Sequence, residues 1–372
     1  MRAIYFTSLN YTAKIANCQQ TRAMALAFQK NLGEKFTLII DNVYEADLLA
    51  GLKLIEIKSP VKKLRTVYYF FWFLFNAGKL LAKNEENIIY FKDPNLCVLA
   101  IFLKPIFGYR VGFEYHLMYK NFRDKLICRG SDYIFALTSF LKKEIIKHGF
   151  SPEKIIVLPD AVDLEIFDIK TEKETAREML GLPKDKIIFA YTGRFRTMGM
   201  DKGISDILKA LAALKNKNLL FIAVGGLPKD KEFYQGLAKE LGVGEQVNLI
   251  TYCEQKELAI YQKAADFLLM PFPFNEHFAY YMSPLKLFEY MAARRPIIAS
   301  DLPSIRDVLS DETCYFCQPG DPKDLAEVIN KAVKNSAESR SKAVNAHKQV
   351  QKHSWIKRAE RVISFVHSHI GG

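Results

Sequence analysis

Residues 281–309, with the sequence YMSPLKLFEYMAARRPIIASDLPSIRDVL, combine a helix start with one basic and one acidic side chain. Ser283 is a typical N-cap residue, and Pro284 is tolerated at the first helical position. Lys286 and Glu289 are three residues apart, so they share one face of this helix. Backbone N–H groups at a helix start bind anions, and a carboxylate accepts hydrogen bonds from a diol. The segment therefore predicts a nucleotide site, with phosphate at the helix start and ribose at Glu289.

Two further cations follow the strand pattern IIFAYTG in the second half of the chain. Arg194 comes directly after Gly193, and Lys202 lies in D-K-G before the next helix. Both lie at the carboxyl edge of a predicted sheet, where ligands of α/β proteins bind. Fixed cations can stabilise a leaving diphosphate in place of a metal ion. Because the chain has no D-x-D motif and only a lone C-x-x-C at Cys314 and Cys317, we predict no metal and no cofactor.

Buried strands and amphipathic helices alternate around these residues in both halves of the chain. The first half opens with an apolar strand at residues 2–7, a helix through TRAMALAFQKNL and the strand FTLIID, and the second half repeats this plan from IIFAYTG. Neither opening loop carries G-x-G-x-x-G, which argues against an oxidoreductase. A length of 372 residues suits two domains. The predicted fold class is α/β, with doubly wound Rossmann-like domains at residues 1–160 and 161–350.

The run SPLKLFEYMA is followed by a basic pair, by PIIASD and by a short amphipathic helix. This succession resembles the donor-site signature of retaining GT-B glycosyltransferases of family 4, the glycosyl transferases group 1. The resemblance implies the GT-B architecture, in which two Rossmann-like domains face each other across a cleft. It also implies that the closing segment, residues 351–372, crosses back to the N-terminal domain. A nucleoside-diphosphate sugar would be the donor.

The resemblance also implies roles for individual residues. Those implied to be catalytic are His116, Arg194 and Lys202, and those implied to bind the donor are Pro284, Leu285, Lys286 and Glu289. Glu276 is expected to bind the donor as a substitute for a family glutamate that this chain lacks. At Pro284 the contact comes from the neighbouring backbone, because proline has no N–H.

His116 ends the strand pattern VGFEYH, where relatives place a histidine that faces the donor sugar. Glu114, two residues earlier on the same strand face, is expected either to support His116 or to pair with Lys120 or Arg123. The chain departs from the family at Tyr281, where the E-x7-E pattern would have its first glutamate. Nearby, Glu276 or His277 is expected to take over that contact with the donor hexose.

Positive charge is concentrated in the first half of the chain. The formal charge is +12, and residues 1–150 hold 22 Lys+Arg against 12 Asp+Glu. This excess favours an anionic partner or a membrane surface. The apolar residues 67–82 are too few for a transmembrane span and include Lys79, so they predict either a helix on a bilayer surface or a buried helix. The first residues, MRAIYFTSLN, lack the pattern of a signal peptide, and we expect a cytoplasmic protein.

The favoured interpretation is a metal-independent, hexosyltransferase-type glycosyltransferase that moves a sugar from a UDP- or GDP-sugar, with retention. The acceptor would be a hydroxyl of a glycan or lipid-linked acceptor in cell-surface polysaccharide or glycolipid synthesis, with peripheral membrane contact through the basic half. An alternative is a catalytically silent GT-B-fold binding or scaffold protein, which the substitution at Tyr281 motivates. Nucleic-acid binding is disfavoured, because no binding motif is present.

Overall fold

The chain folds into two compact units in the computed structural model. The N-terminal unit comprises Met1–Asp160 and Trp355–Gly372, and the C-terminal unit comprises Ala161–Ser354. The residues that the structure describes are 1–8, 16–41, 51–58, 64–82, 85–197 and 199–369.

A parallel sheet forms the centre of the N-terminal unit. Within the described residues it has seven strands in the order β3-β2-β1-β4-β5-β6-β7. Continuous apolar runs such as NIIYF form these strands, because helices cover both faces of a parallel sheet. The strands are β1 (Arg2–Thr7), β2 (Phe36–Asp41), β3 (Leu54–Ile57), β4 (Asn87–Phe91), β5 (Arg110–Tyr115), β6 (Tyr133–Ala136) and β7 (Ile155–Val157).

The helices of the N-terminal unit come from both ends of the chain. The last helix packs against the first, and the pattern of buried residues on it explains why: Trp355, Ala359, Val362 and Val366 share one face. Among the helices described, none combines the length and the apolar character needed to cross a bilayer. The helices are α1 (Ala16–Leu32), α2 (Arg65–Leu80), α3 (Pro94–Phe107), α4 (Phe122–Gly130), α5 (Ser139–Lys147) and, at the end of the chain, α15 (Trp355–His367).

The C-terminal unit contains a second parallel sheet. Its order within the described residues is β12-β11-β8-β13-β14-β15, and a short antiparallel pair, β9 with β10, follows β8. The strands are β8 (Ile187–Thr192), β9 (Arg196–Thr197), β10 (Met200–Asp201), β11 (Leu219–Gly226), β12 (Val247–Thr251), β13 (Phe267–Met270), β14 (Ile297–Ser300) and β15 (Tyr315–Cys317). Two doubly wound α/β domains were predicted, and this fold class is confirmed.

The helices of the C-terminal unit alternate with these strands. The parallel order requires each connection to cross over a face of the sheet, and α8 to α12 provide these crossovers. The helices are α6 (Leu164–Phe167), α7 (Lys173–Met179), α8 (Ile204–Leu214), α9 (Pro228–Glu240), α10 (Gln255–Ala264), α11 (Leu285–Ala292), α12 (Pro303–Arg306), α13 (Pro322–Lys334) and α14 (Ser336–Val350).

Candidate functional site

Helix α11, which contains Lys286 and Glu289, begins at Leu285. The prediction that Ser283 is its N-cap residue and Pro284 its first helical residue is wrong. Pro284 occupies the N-cap position with extended backbone angles, φ −78° and ψ 126°, so the helical geometry starts only after it. Proline offers no side-chain acceptor to the first turn. The N-cap side chain therefore accepts no hydrogen bond from the N–H groups at this helix start. An anion site requires such uncapped N–H groups.

The Lys286 side chain is buried, with an exposed fraction of 8%. Its Nζ lies 3.4 Å from the centroid of the Tyr191 ring and 5.4 Å from that of Phe272. Within the described part of the chain this Nζ has no hydrogen-bond partner. Burial and the neighbouring Lys202 hold the pKa of Lys286 well below its usual value, although Glu289 acts in the opposite direction. A buried ammonium without an acceptor is costly, so this position is suited to receive an anionic ligand.

Glu289 is equally buried and lies one turn further along α11. Its Oε2 accepts a hydrogen bond of 3.2 Å from Gln262 Nε2, which also donates to Thr192 Oγ1 at 3.0 Å. Burial raises the pKa of Glu289 to about 7, against the lowering effects of the Gln262 hydrogen bond and Lys286. The carboxylate is thus fixed by one donor and retains acceptor capacity for a diol. Sequence reasoning missed Gln262, which lies on the separate helix α10.

Arg194 and Lys202 lie on the segment between β8 and α8. Within the described residues neither side chain forms an ion pair with a carboxylate. Arg194 is exposed and Lys202 is partly buried, with its Nζ 6.0 Å from the centroid of the Phe272 ring. Burial, followed by the charge of Arg194, lowers the pKa of Lys202 to about 8. Lys202 in turn lowers the pKa of Lys286, so these three cations form one cluster with an excess of positive charge.

Gly203 and Asp201 explain why Lys202 lies where it does. Gly203 has φ +93°, and a Cβ atom there would lie 2.0 Å from the carbonyl oxygen of Pro271, so only glycine allows this approach. The Asp201 carboxylate accepts hydrogen bonds from Ser205 Oγ at 2.7 Å and Tyr234 Oη at 2.6 Å. The nearest acid in sequence is thereby held by other donors, which leaves the Lys202 ammonium available.

The segment before α11 contains a feature that the sequence did not indicate. A π-helical turn, His277–Tyr281, follows Glu276, and its residue Tyr281 is buried with an exposed fraction of 4%. Glu276 is exposed, whereas His277 is partly buried and the charge of Lys202 reaches it, lowering its pKa after the effect of burial. Of the two residues expected to replace the missing family glutamate, the structure brings His277 near the cations. The role of Glu276 stays a prediction.

His116 belongs to the N-terminal unit, where it follows β5. Its Nε2 lies 2.6 Å from Oε1 of Glu114, so the prediction that Glu114 supports His116 is confirmed. The alternative, that Glu114 pairs with Lys120 or Arg123, is wrong. Lys120 Nζ pairs with Glu144 at 2.8 Å, and Arg123 Nη1 donates to the Asn95 side chain at 3.1 Å.

Two cations that the sequence did not reveal contact Glu114 instead, namely Lys92 at 3.6 Å and Arg358 at 2.8 Å. A signal for Arg358 was present, because it shares the apolar face of α15 with Trp355 and Val362. A basic residue at such a position requires a buried partner.

Two doubly wound Rossmann-like units in one chain are the architecture of the GT-B class. Residues 172–350 match the family Glycosyl transferases group 1, and residues 21–166 match Glycosyltransferase Family 4. The chain therefore belongs to the family-4-like glycosyltransferases with the GT-B architecture, as the run SPLKLFEYMA predicted.

Individual relatives agree with this family. The chain is 27% identical over 261 residues to D-inositol 3-phosphate glycosyltransferase 1 of Catenulispora acidiphila, an alignment covering 67% of this chain and 60% of that protein. Against other curated relatives the covered share falls to 44% of their length.

Solved structures show the same fold. A glycosyltransferase from Rickettsia africae has a TM-score of 0.80 at 15% identity, covering 100% of this chain and 99% of that chain. Alr3699/HepE of Anabaena in complex with UDP has a TM-score of 0.77 at 14% identity, covering 99% and 100%.

Proposed function

We propose that the C-terminal unit binds a nucleoside-diphosphate sugar and that the protein transfers this sugar, with retention, to a hydroxyl group of a glycan or lipid-linked acceptor. The observation that carries the proposal is the buried Lys286 ammonium, which has no hydrogen-bond partner within the described residues and lies at the start of α11. Such an arrangement is unfavourable until an anion arrives. A diphosphate supplies that anion.

The charges of the site match a diphosphate without a metal ion. Arg194 and Lys202 form no ion pair with a described carboxylate, and one carboxylate, Glu289, lies near Lys286, so positive charge is in excess. The N–H groups of the first turn of α11 add partial positive charge. Fixed donors of this kind stabilise a leaving diphosphate in the transition state. Metal independence and the absence of a cofactor are accordingly part of the proposal.

Glu289 selects the nucleoside part of the donor. A ribose presents two hydroxyl donors, and the ionised carboxylate accepts both. Its contact with Gln262 fixes the orientation of the carboxylate before the ligand binds. The solved structure of Alr3699/HepE contains UDP, which supports a uridine nucleotide for this chain, with GDP as the second candidate.

Retention of the anomeric configuration is explained if the acceptor hydroxyl attacks the sugar on the face from which the diphosphate leaves. The leaving phosphate then takes the proton of that hydroxyl. No side chain is then required as a nucleophile. We assign His116 to a hydrogen bond with a substrate hydroxyl, and Glu276 or His277 to the hexose.

The acceptor is proposed to bind through the N-terminal unit, at the cytoplasmic face of the cell membrane. Helix α2 exposes Val67, Phe71 and Phe75, with exposed fractions of 53, 50 and 78%, and α3 exposes Phe102 and Ile106. Exposed aromatic side chains on a basic unit suit an anionic bilayer that carries a lipid-linked acceptor. The first curated relative is named for an inositol phosphate, so a phosphorylated polyol is the second candidate acceptor.

Thermal unfolding against a panel of UDP, GDP, ADP, CMP and TDP, with and without magnesium, tests the donor site. We expect UDP or GDP to raise the midpoint without magnesium, because a ligand at 100 times its Kd adds about 2.7 kcal/mol. Arg194→Ala and Lys202→Ala should each reduce this shift, whereas Lys209→Ala, at an exposed position of α8, should not. If no nucleotide shifts the midpoint, the donor site is refuted.

Activity separates the enzyme from a silent binding protein. The wild type, incubated with the UDP- or GDP-sugar that matches the bound base, should release the nucleoside diphosphate, and an acceptor should accelerate the release. Binding without any hydrolysis or transfer would favour the scaffold alternative.

A further inference from the structure

We propose that Glu114 is a positioning residue that fixes His116 as its Nε2–H tautomer, so that Nδ1 of the neutral ring is presented to a substrate hydroxyl as a hydrogen-bond acceptor. The substrate contact of His116 rests on the proposed function, whereas the tautomer rests on the contact of His116 Nε2 with Glu114 and on the charges that surround it within the N-terminal unit.

Glu114 is the central acceptor of a buried polar network. The residue has an exposed fraction of 2%. Its Oε1 lies 2.6 Å from His116 Nε2 and 3.6 Å from Lys92 Nζ. Its Oε2 accepts a hydrogen bond from Tyr90 Oη and lies 2.8 Å from Arg358 Nη2. The two carboxylate oxygens of Glu114 are therefore surrounded by the side chains of Tyr90 on β4, Lys92 just after β4 and Arg358 on α15.

The network keeps this carboxylate ionised. Burial alone would raise the pKa of Glu114, but the charges of Arg358 and Lys92 hold it well below its usual value. Lys92 also donates to Gln20 Oε1 at 3.1 Å, and Gln20 Nε2 donates to Asp160, the remaining buried acid of the network. An ionised carboxylate can only accept.

Because Glu114 can only accept, the hydrogen between the two residues must lie on His116 Nε2. The ring is neutral at physiological pH, since burial and Lys92 lower the pKa of His116 to about 4 against the raising effect of Glu114. A neutral imidazole with hydrogen on Nε2 carries its lone pair on Nδ1. Nδ1 forms no hydrogen bond with the described residues, and the His116 side chain is 28% exposed, so a ligand can reach it.

This geometry specifies the chemistry of the group that His116 contacts. Nδ1 accepts a hydrogen bond from a hydroxyl, and it offers no hydrogen and no positive charge to a phosphate. His116 thus contacts a neutral polyol and does not serve as a general acid at physiological pH.

Helix α15 holds the arrangement in place. Arg358 Nε donates to the carbonyl oxygen of Pro159 at 2.8 Å and Nη2 to that of Leu158 at 3.1 Å, in addition to its ion pair with Glu114. The guanidinium is therefore fixed by backbone acceptors and orients the carboxylate that orients His116.

Nitrogen NMR of the histidine-labelled protein tests the tautomer without any substrate, and the signal of His116 is assigned from its loss in His116→Gln. We expect wild-type His116 to show hydrogen on Nε2 and no titration between pH 5.5 and 8. In Glu114→Gln the amide can donate to Nε2, so a shift toward the Nδ1–H tautomer is expected. Tyr90→Phe removes another donor to Glu114 but leaves Arg358 and Lys92 in place, so its tautomer should match the wild type.

Hydrogen on Nδ1, or a protonated ring at pH 7, in the wild type would overturn the proposal. Unchanged tautomers in a folded Glu114→Gln variant would overturn the positioning role. In the transfer assay Glu114→Gln should lower kcat while the affinity for UDP stays unchanged. We expect about 10- to 100-fold, by analogy with carboxylates that orient metal-bound histidines. A wild type that binds no nucleotide would refute the proposed function and leave the NMR test valid.

Discussion

Replacing Lys286 by methionine is expected to stabilise the C-terminal unit and, at the same time, to remove its affinity for diphosphates. The Lys286 side chain is 8% exposed, and its Nζ has no hydrogen-bond partner within the described residues. Methionine keeps an unbranched chain over the Tyr191 ring and removes the ammonium group. A buried polar group without a partner costs about 1–3 kcal/mol.

One opposing term reduces this gain, and a second term restores part of it. The Lys286 ammonium lies 3.4 Å from the centroid of the Tyr191 ring, and a cation–π contact of this kind contributes about 0.5–2 kcal/mol. The methionine sulfur recovers about 0.3–1.5 kcal/mol through its own contact with the ring. The expected net stabilisation is about 1 kcal/mol. For a domain of the size of Ala161–Ser354 this raises the unfolding temperature by about 2–4 °C.

Differential scanning calorimetry without nucleotide and then with saturating UDP measures both effects. Lys209→Met, at an exposed position of α8, is the matched control and should change neither the midpoint nor the response to UDP. A lower midpoint for Lys286→Met without nucleotide would show that the ammonium stabilises the free protein. An undiminished response to UDP would show that Lys286 does not contact the diphosphate.

Three further outcomes are expected. Isothermal titration between pH 5.5 and 9 should show that UDP affinity rises near pH 7, because Glu289 loses its proton there. The affinity should fall again near pH 8, because Lys202 loses its charge. Glu289→Gln should abolish the rise near pH 7. In urea unfolding, Gly203→Ala should destabilise the C-terminal unit by about 2–4 kcal/mol, because the new Cβ atom would collide with the backbone of Pro271. Gly236→Ala is the control: no atom lies within 4 Å of the new Cβ atom, so this variant should be more stable by about 0.5–1 kcal/mol. Phe75→Ser should reduce flotation with anionic vesicles, and equal flotation would exclude α2 from the contact.

The sequence predicted those parts of the site that depend on local order. The strands followed from continuous apolar runs, and the shared face of Lys286 and Glu289 followed from their spacing on a helix. The positive charge at the end of β8 followed from the sequence of Arg194 and Lys202 around a turn. Each of these features depends on residues close together in the chain, where periodicity and turn chemistry are informative.

Other parts of the site depend on residues that are far apart in the sequence. The stacking of Lys286 on Tyr191 joins residues of α11 and β8, and the hydrogen bond from Gln262 reaches Glu289 from α10. Neither has a sequence signal, since each depends on how the helices pack on the sheet. The π-helical turn His277–Tyr281 was missed for a related reason: its apolar pattern does not differ from that of a loop next to a core.

The two units use buried charge in opposite ways, and this difference separates function from stability. In the N-terminal unit the cations Lys92 and Arg358 have two buried acids near them, Glu114 and Asp160, so both signs of charge are present before any ligand binds. In the C-terminal unit Lys202 has no carboxylate partner within the described residues. Glu289 lies near Lys286, but the Lys286 Nζ has no hydrogen-bond partner within those residues. Incompletely compensated positive charge opposes folding, and a bound anion relieves it, which is the reason why we propose the C-terminal cluster as a binding site. Salt should therefore weaken nucleotide binding through the C-terminal cluster, while the buried N-terminal network stays insensitive to it.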